Sequence, residues 1–222
     1  NLLSVRTAAA SANLALTGSV DATTFVNGSS AYGNVFAGTY NGTFAGLGHT
    51  ISNLILTNTD RYAGIFAQTS SATVRDLVVD NATIQGRHDT GTVVGYAAGT
   101  SNFSGLIVKN GSVAIETNNY YYTGGLFGRV DNGQINDAWV INNPVSGHYV
   151  VGGVVGQSQA VSDNIHNVSS TVTARGNHYT GGLIGYWLYA STFAYRACSN
   201  YVRPATSPPS HWIRYQRWRC SY

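Results

Sequence analysis

One five-residue signature returns along this chain and governs what it can fold into. It reads Ala63-Gly64-Ile65-Phe66-Ala67, Gly91-Thr92-Val93-Val94-Gly95, Gly124-Gly125-Leu126-Phe127-Gly128, Gly152-Gly153-Val154-Val155-Gly156 and Gly181-Gly182-Leu183-Ile184-Gly185. The second positions lie 28, 33, 28 and 29 residues apart. Beyond each of them, an apolar residue is followed three and five places later by further apolar or small residues, and these align as columns. The first column is Val74, Phe103, Ile135, Ile165, Phe193; the second Leu77, Leu106, Ala138, Val168; the third Val79, Val108, Val140, then Ser170 and Cys198. Ile51, Leu54 and Leu56 fit the same columns one unit earlier, so the first unit begins before residue 61.

A unit of about 28 residues made of short β-prone pieces cannot bury its apolar face alone, whereas stacked copies bury a continuous core between them. Composition points the same way. The chain holds one Lys, one Glu and no Met, while Thr, Val, Asn, Ser, Tyr and Gly fill it, which disfavours helices. The predicted fold is all-β: a parallel β-helix of about six or seven coils with terminal caps, equivalent residues lying about 4.8 Å apart from coil to coil. Right-handedness is expected from the preferred crossover between parallel strands. Residues 36–200 carry the repeats, residues 1–35 form an N-terminal cap or a strand donated to a neighbour, and residues 201–222 form a basic, aromatic C-terminal cap. An Asn at position 1 suggests a processed or trimmed chain.

The glycines have a mechanical reading. Gly64, Gly91, Gly95, Gly124, Gly125, Gly128, Gly152, Gly153, Gly156, Gly181, Gly182 and Gly185 fit corners where φ turns positive and where the adjacent chain approaches closely. A phosphate-cradling glycine loop would need a following helix and usually a Lys, and neither accompanies them.

The runs Gly-Gly-Leu-Phe-Gly, Gly-Gly-Val-Val-Gly and Gly-Gly-Leu-Ile-Gly resemble the GLUG repeat of bacterial surface and secreted proteins. The segment Gly38-Thr39-Tyr40-Asn41-Gly42-Thr43-Phe44-Ala45-Gly46-Leu47-Gly48-His49-Thr50-Ile51-Ser52-Asn53-Leu54 is similar to the lead-in of filamentous-haemagglutinin-like adhesins. What the resemblance implies is an extracellular or cell-surface β-helical stalk or adhesin. Such repeats also accompany some IgA-cleaving metallopeptidases, whose His-Glu-x-x-His signature is absent here. Ala63, Ala67 and Thr92 stand where the motif has glycine, and the motif carries no catalytic residue.

Function is therefore sought on the outer surface. Four residues before the second signature position stand Asp60, His88, Tyr121, Tyr149 and His178; three before it stand Arg61, Asp89, Tyr122, Val150 and Tyr179. Aromatic faces stack on sugars while hydroxyls and imidazoles hydrogen-bond them, so His88, Tyr121, Tyr122, Tyr149, His178 and Tyr179 are candidate glycan ligands. The competing reading is that such a ladder serves only to stabilise stacked β-structure. Gln68, Tyr96, Arg129, Gln157 and Tyr186 form a second stripe, read as a solvated face.

Asn53, Asp76, Gly105, Asp137, Asn167 and Tyr195 occupy one further position of the column pattern. Asp76 and Asp137 would lie two coils apart, roughly 10 Å, near the carboxylate spacing of inverting glycosidases. They are the catalytic candidates of a minority glycoside hydrolase reading. A lyase would need clustered carboxylates and a Lys or Arg base, but Lys109 stands alone among lysines. No His-x-His or His-Glu-x-x-His spacing occurs, so no metal and no cofactor are called for. Thr-x-Thr does not recur at one place in every coil, which ranks ice binding low.

Charge divides along the chain. Residues 196–222 carry five Arg and no acid, net +5, whereas residues 1–195 hold seven cations against nine acids, net −2. Mild acidity disfavours nucleic-acid binding by the body. No run of 18 apolar residues offers a membrane-spanning helix. Cys198 and Cys220 are candidates for a disulfide pinning the tail over the last coil, Cys198 having a buried-thiol alternative. The resulting expectation is a non-enzymatic adhesive β-helix with glycans or a host surface as partners. The alternatives are a homo-oligomeric fibre built end to end and a polysaccharide-active enzyme.

Overall fold

Three parallel sheets wrap one apolar interior. The structure, a computed structural model, describes residues 2, 6, 8–27, 30–31, 33–57, 61–115, 121–159 and 164–188. Its first face stacks Thr43–Ala45 with Thr50–Ser52, then Thr73–Asp80, Ser101–Lys109, Gly133–Ile141 and Ile165–Ser170. The second stacks Ile55–Thr57, Thr83–Gly86, Ser112–Ile115, Val145–Ser146 and Ala174–Arg175. The third begins with Asn34–Tyr40 and Tyr62–Ser70, then continues as paired half-strands: Asp89–Thr90 with Val94–Ala98, Tyr122–Gly124 with Phe127–Val130, Val150–Gly152 with Val155–Ser158, and Tyr179–Gly181 with Ile184–Trp187. The expected six or seven coils resolve, among the described residues, into about five full turns with a partial turn at either end.

The inner columns stand in register. Phe44, Val74, Phe103, Ile135 and Ile165 form one file on the first face, and Leu77, Leu106, Ala138 and Val168 a second. Leu126 accepts hydrogen bonds from both Val93 and Val94, Val154 from Leu126 and Phe127, and Leu183 from Val154 and Val155, so these signature residues lie in one vertical file. Rings stack along the interior: Phe36 on Phe66 with centroids 4.6 Å apart and Phe103 against Phe127 at 4.7 Å. Each buried Leu, Ile, Val or Phe is worth roughly 1.5–3 kcal/mol, so the stack gains with every coil added.

The three-then-five spacing of the columns has a backbone cause. Strict strand alternation would place inward residues two apart. Asp76, Gly105, Asp137 and Asn167 each turn left-handed, with φ of 55°, 62°, 54° and 49°. One extra residue enters as a bulge, and Leu77 then points inward three places after Val74. Asn, Asp and Gly tolerate this conformation best, which explains the residue types in that file.

Two expectations need correction in the first unit. Ile51 does not file with Val74; it pairs with Val79, while Phe44 takes the first column and Leu56 pairs with Ile84. Between Ala45 and Thr50 the first coil spends four residues where the next spends two, and the Gly46–His49 turn absorbs the difference. Asn53 likewise leaves the Asp76 file. It joins Asn81, Asn110 and Asn142, a second left-handed file in which Asn81 donates to Asn53 at 2.8 Å and Asn142 to Asn110 at 3.1 Å.

Signature glycines prove necessary for one of the two expected reasons. None of them has positive φ, the described glycines of that kind being Gly48, Gly99 and Gly105. Close approach decides instead: a Cβ on Gly125 would lie 2.3 Å from the Gly153 carbonyl oxygen, and one on Gly153 2.0 Å from that of Gly182.

At the N-terminal end, Leu14–Ala15 pairs in parallel with Phe44 and Ala45, and Val20–Asp21 with Ile51 and Ser52. Leu16, Ala22 and Phe25 are buried in the core there. Residues 201–222, Phe193, Tyr195, Cys198 and Cys220 lie outside the described residues, and with them the proposed cap and disulfide.

Candidate functional site

The signature does more than stack: it creases the third face. At Gly124-Gly125 the chain bends inward, and a Cβ on Gly124 would lie against the carbonyl oxygen of Phe127, across the bend. The last glycine of the signature closes the crease from the other side. A Cβ on Gly128 would lie 2.3 Å from the Thr90 amide nitrogen, and one on Gly156 2.6 Å from that of Thr123. Side chains on the outer surface of the two half-strands consequently converge instead of splaying apart.

Two files line this crease. The first runs Tyr62, Asp89, Tyr122, Val150, Tyr179. The second runs Thr39, Gln68, Tyr96, Arg129, Gln157, Tyr186. They meet across it: Tyr62 lies 5.2 Å from Tyr96 by ring centroid, and Tyr179 the same distance from Tyr186. Arg129 sits over the Tyr96 ring at 5.0 Å and 6.0 Å from that of Tyr122, a cation held between aromatic faces.

Polar groups in the crease are ordered by one another. Asp131 takes Arg129 in a fork, Nε to Oδ1 at 2.6 Å and Nη2 to Oδ2 at 3.0 Å, and also accepts the Tyr96 hydroxyl at 2.5 Å. Burial and the bond to Asp131 push the Tyr96 phenol up to about 12. Burial likewise raises Tyr122, although the nearby Arg129 and Gln157 pull the other way. Asp89 is 3 % exposed. Desolvation drives its pKa up to about 7 against the attraction of Arg129 and Arg61. Gln157 is 5 % exposed, with Oε1 buried and unpartnered.

The expected ligand set divides into two places. Tyr122 and Tyr179 line the crease. His88, Tyr121, Tyr149 and His178 form a separate file at the corner before it, where His88 touches the Tyr121 ring and Tyr149 lies 4.8 Å from His178. Desolvation lowers the His88 pKa, with help from Arg61 and Arg87. Asp60 lies outside the described residues. Arg61 does not share the file of Asp89 as the spacing suggested; Tyr62 does, because the second coil carries one residue more across the bend than the first. The second stripe is corrected as well. It is no solvated face: Gln157 is buried and the Arg129 side chain is 24 % exposed.

Asp76 and Asp137 lie on the first face, away from the crease, with Gly105 between them in their file. Asp76 pairs with Arg75 at 2.7 Å, and Asp137 accepts the Asn167 side-chain amide. The crease residues Arg129, Gln157 and Tyr96 were visible only as one stripe of a column alignment. Their meeting with the Tyr122 file depends on the bend, which no spacing announces.

No protein-family model matches this chain, so the GLUG resemblance rests on its motif. A 93-residue stretch, 41% of the chain, is 34% identical to halomucin from Haloquadratum walsbyi, of which it spans 1%. The fold is similar to the crystal structure of a "putative immunoglobulin A1 protease" from Bacteroides ovatus, with a TM-score of 0.57 at 16% identity, covering 79% of this chain and 55% of that one. The structural likeness agrees with the parallel β-solenoid fold. Among the described residues no helix is long and apolar enough to cross a membrane.

Proposed function

We propose that this chain is a non-enzymatic, extracellular β-solenoid segment of a surface protein that attaches to glycans. The observation that carries the reading is the file His88, Tyr121, Tyr149, His178, which repeats aromatic and imidazole groups at coil spacing on a stiff support. A repeating ligand such as a saccharide chain suits a repeating surface, and many weak contacts in one file add to useful avidity. Similarity to halomucin, by its name a mucin-like protein, supports a surface or secreted setting.

The test is a screen of the protein against immobilised glycans, repeated with Tyr121→Ala and Tyr149→Ala. Retention on a subset of glycans is expected, falling about tenfold in the double variant, the scale of removing an aromatic stacking partner. Three results would replace the reading. Absence of retention removes adhesion; turnover of a polysaccharide that Asp76→Asn or Asp137→Asn abolishes makes the chain an enzyme; filaments at micromolar concentration favour a self-assembling fibre.

A further inference from the structure

The geometry points to the crease of the third face as a binding cleft for an uncharged saccharide chain lying along the solenoid axis, with Tyr96, Tyr122, Arg129 and Gln157 at its centre. This rests on the adhesive reading but moves the principal contact from the corner file to the crease.

Outward side chains on a convex corner diverge, yet Tyr179 and Tyr186 of one coil meet, and so do Tyr62 and Tyr96 of neighbouring coils. From Tyr62 to Tyr179 the cleft crosses four coil steps, about 19 Å. Its aromatic walls recur along that length, which suits a polymer better than a compact ligand.

Arg129 has five N–H donors and gives two to Asp131, so three remain for a ligand. Gln157 buries an unpartnered Oε1 in the same file. A buried acceptor without a partner is unfavourable, and a ligand hydroxyl that reaches it would supply the missing donor.

Charge selects the ligand class. The cation at the centre of the cleft, Arg129, is already bound by Asp131. A polyanion would have to break that fork. A neutral chain of hydroxyls over Tyr faces need not.

The experiment titrates the protein with cellohexaose, mannohexaose and chitohexaose, and with oligogalacturonate as the charged counterpart, by calorimetry. Arg129→Met keeps the stem and removes the donors; Tyr186→Ala shortens the wall at the partly exposed end of the cleft. Thermal melts report whether each variant keeps its fold, and Tyr186→Ala carries the test if Arg129→Met does not. A neutral hexasaccharide is expected to bind and to lose about tenfold in affinity with either cleft variant, a larger loss than Tyr121→Ala causes alone. Unchanged binding in the cleft variants, with loss in Tyr121→Ala, overturns the cleft and leaves the adhesive reading standing. Preference for oligogalacturonate overturns the neutral class. Failure of every hexasaccharide to bind, together with an empty glycan screen, overturns both.

Discussion

Replacing Gly153 by Ala is expected to destabilise the protein by about 3 kcal/mol or more, at the upper end of overpacking costs, and to lower its melting temperature by roughly 5–10 °C. The added Cβ would lie 2.0 Å from the Gly182 carbonyl oxygen and 2.5 Å from the Ser170 hydroxyl. The first obstacle is backbone of the next coil, so relief requires moving a whole turn of the stack. Gly38→Ala is the control. A Cβ there meets nothing within 4 Å, and a change within about 0.5 kcal/mol is expected. Thermal melting of both variants checks the pair; equal melting temperatures would mean that the coils do not press together at the signature.

The second large effect concerns Asp89. Its carboxyl stays protonated in the folded protein up to about pH 7 but titrates near 3.8 where burial is lost. Between those values the folded state holds the extra proton, so this group makes stability fall as pH rises. The penalty is absent below about pH 4 and complete above pH 7. Asp89→Asn removes it, with an expected gain of roughly 2–4 kcal/mol at pH 8 and almost none at pH 4, a shift of about three pKa units corresponding to at most about 4 kcal/mol. Arg129 and Arg61 attract the charged form and Asp131 opposes it. Urea unfolding of both proteins at pH 4, 6 and 8 measures the difference. Parallel stability curves across that range would show that the carboxyl is hydrated in the folded protein.

What the sequence disclosed and what it withheld divide along a physical line. Columns such as Val74, Phe103, Ile135 and Ile165 are readable because every coil repeats the same inward demand at nearly the same spacing. Lost register at Ile51 and Asn53 came from a local insertion at Gly46–His49, whose two surplus residues look no different from column residues until the backbone shows where they go. Glycine requirement was legible, but its cause was half misread, since crowding and not positive φ fixes those positions. The opposite holds for Asp76 and Asp137, whose left-handed φ gives a conformational reason for residues first noticed as paired acids. The crease escaped altogether. Tyr122 and Arg129 are seven residues apart and belong to different stripes, and only a bend too tight for any side chain at Gly124 or Gly128 turns those stripes toward each other.

The central claim is that successive turns stack in register, and spin-label distances along one outward file test it most directly. Thr57, Gln85, Ala114, Ser146 and Arg175 are consecutive partners on the second face. Labels at Thr57 and Ser146 span three coil steps, about 14 Å of backbone, and labels at Thr57 and Arg175 four, about 19 Å. Stacked coils require the second distance to exceed the first by about 5 Å, with both distributions narrow. Distances that are broad, or whose difference departs from the rise of one coil, would contradict the solenoid and the cleft built on it.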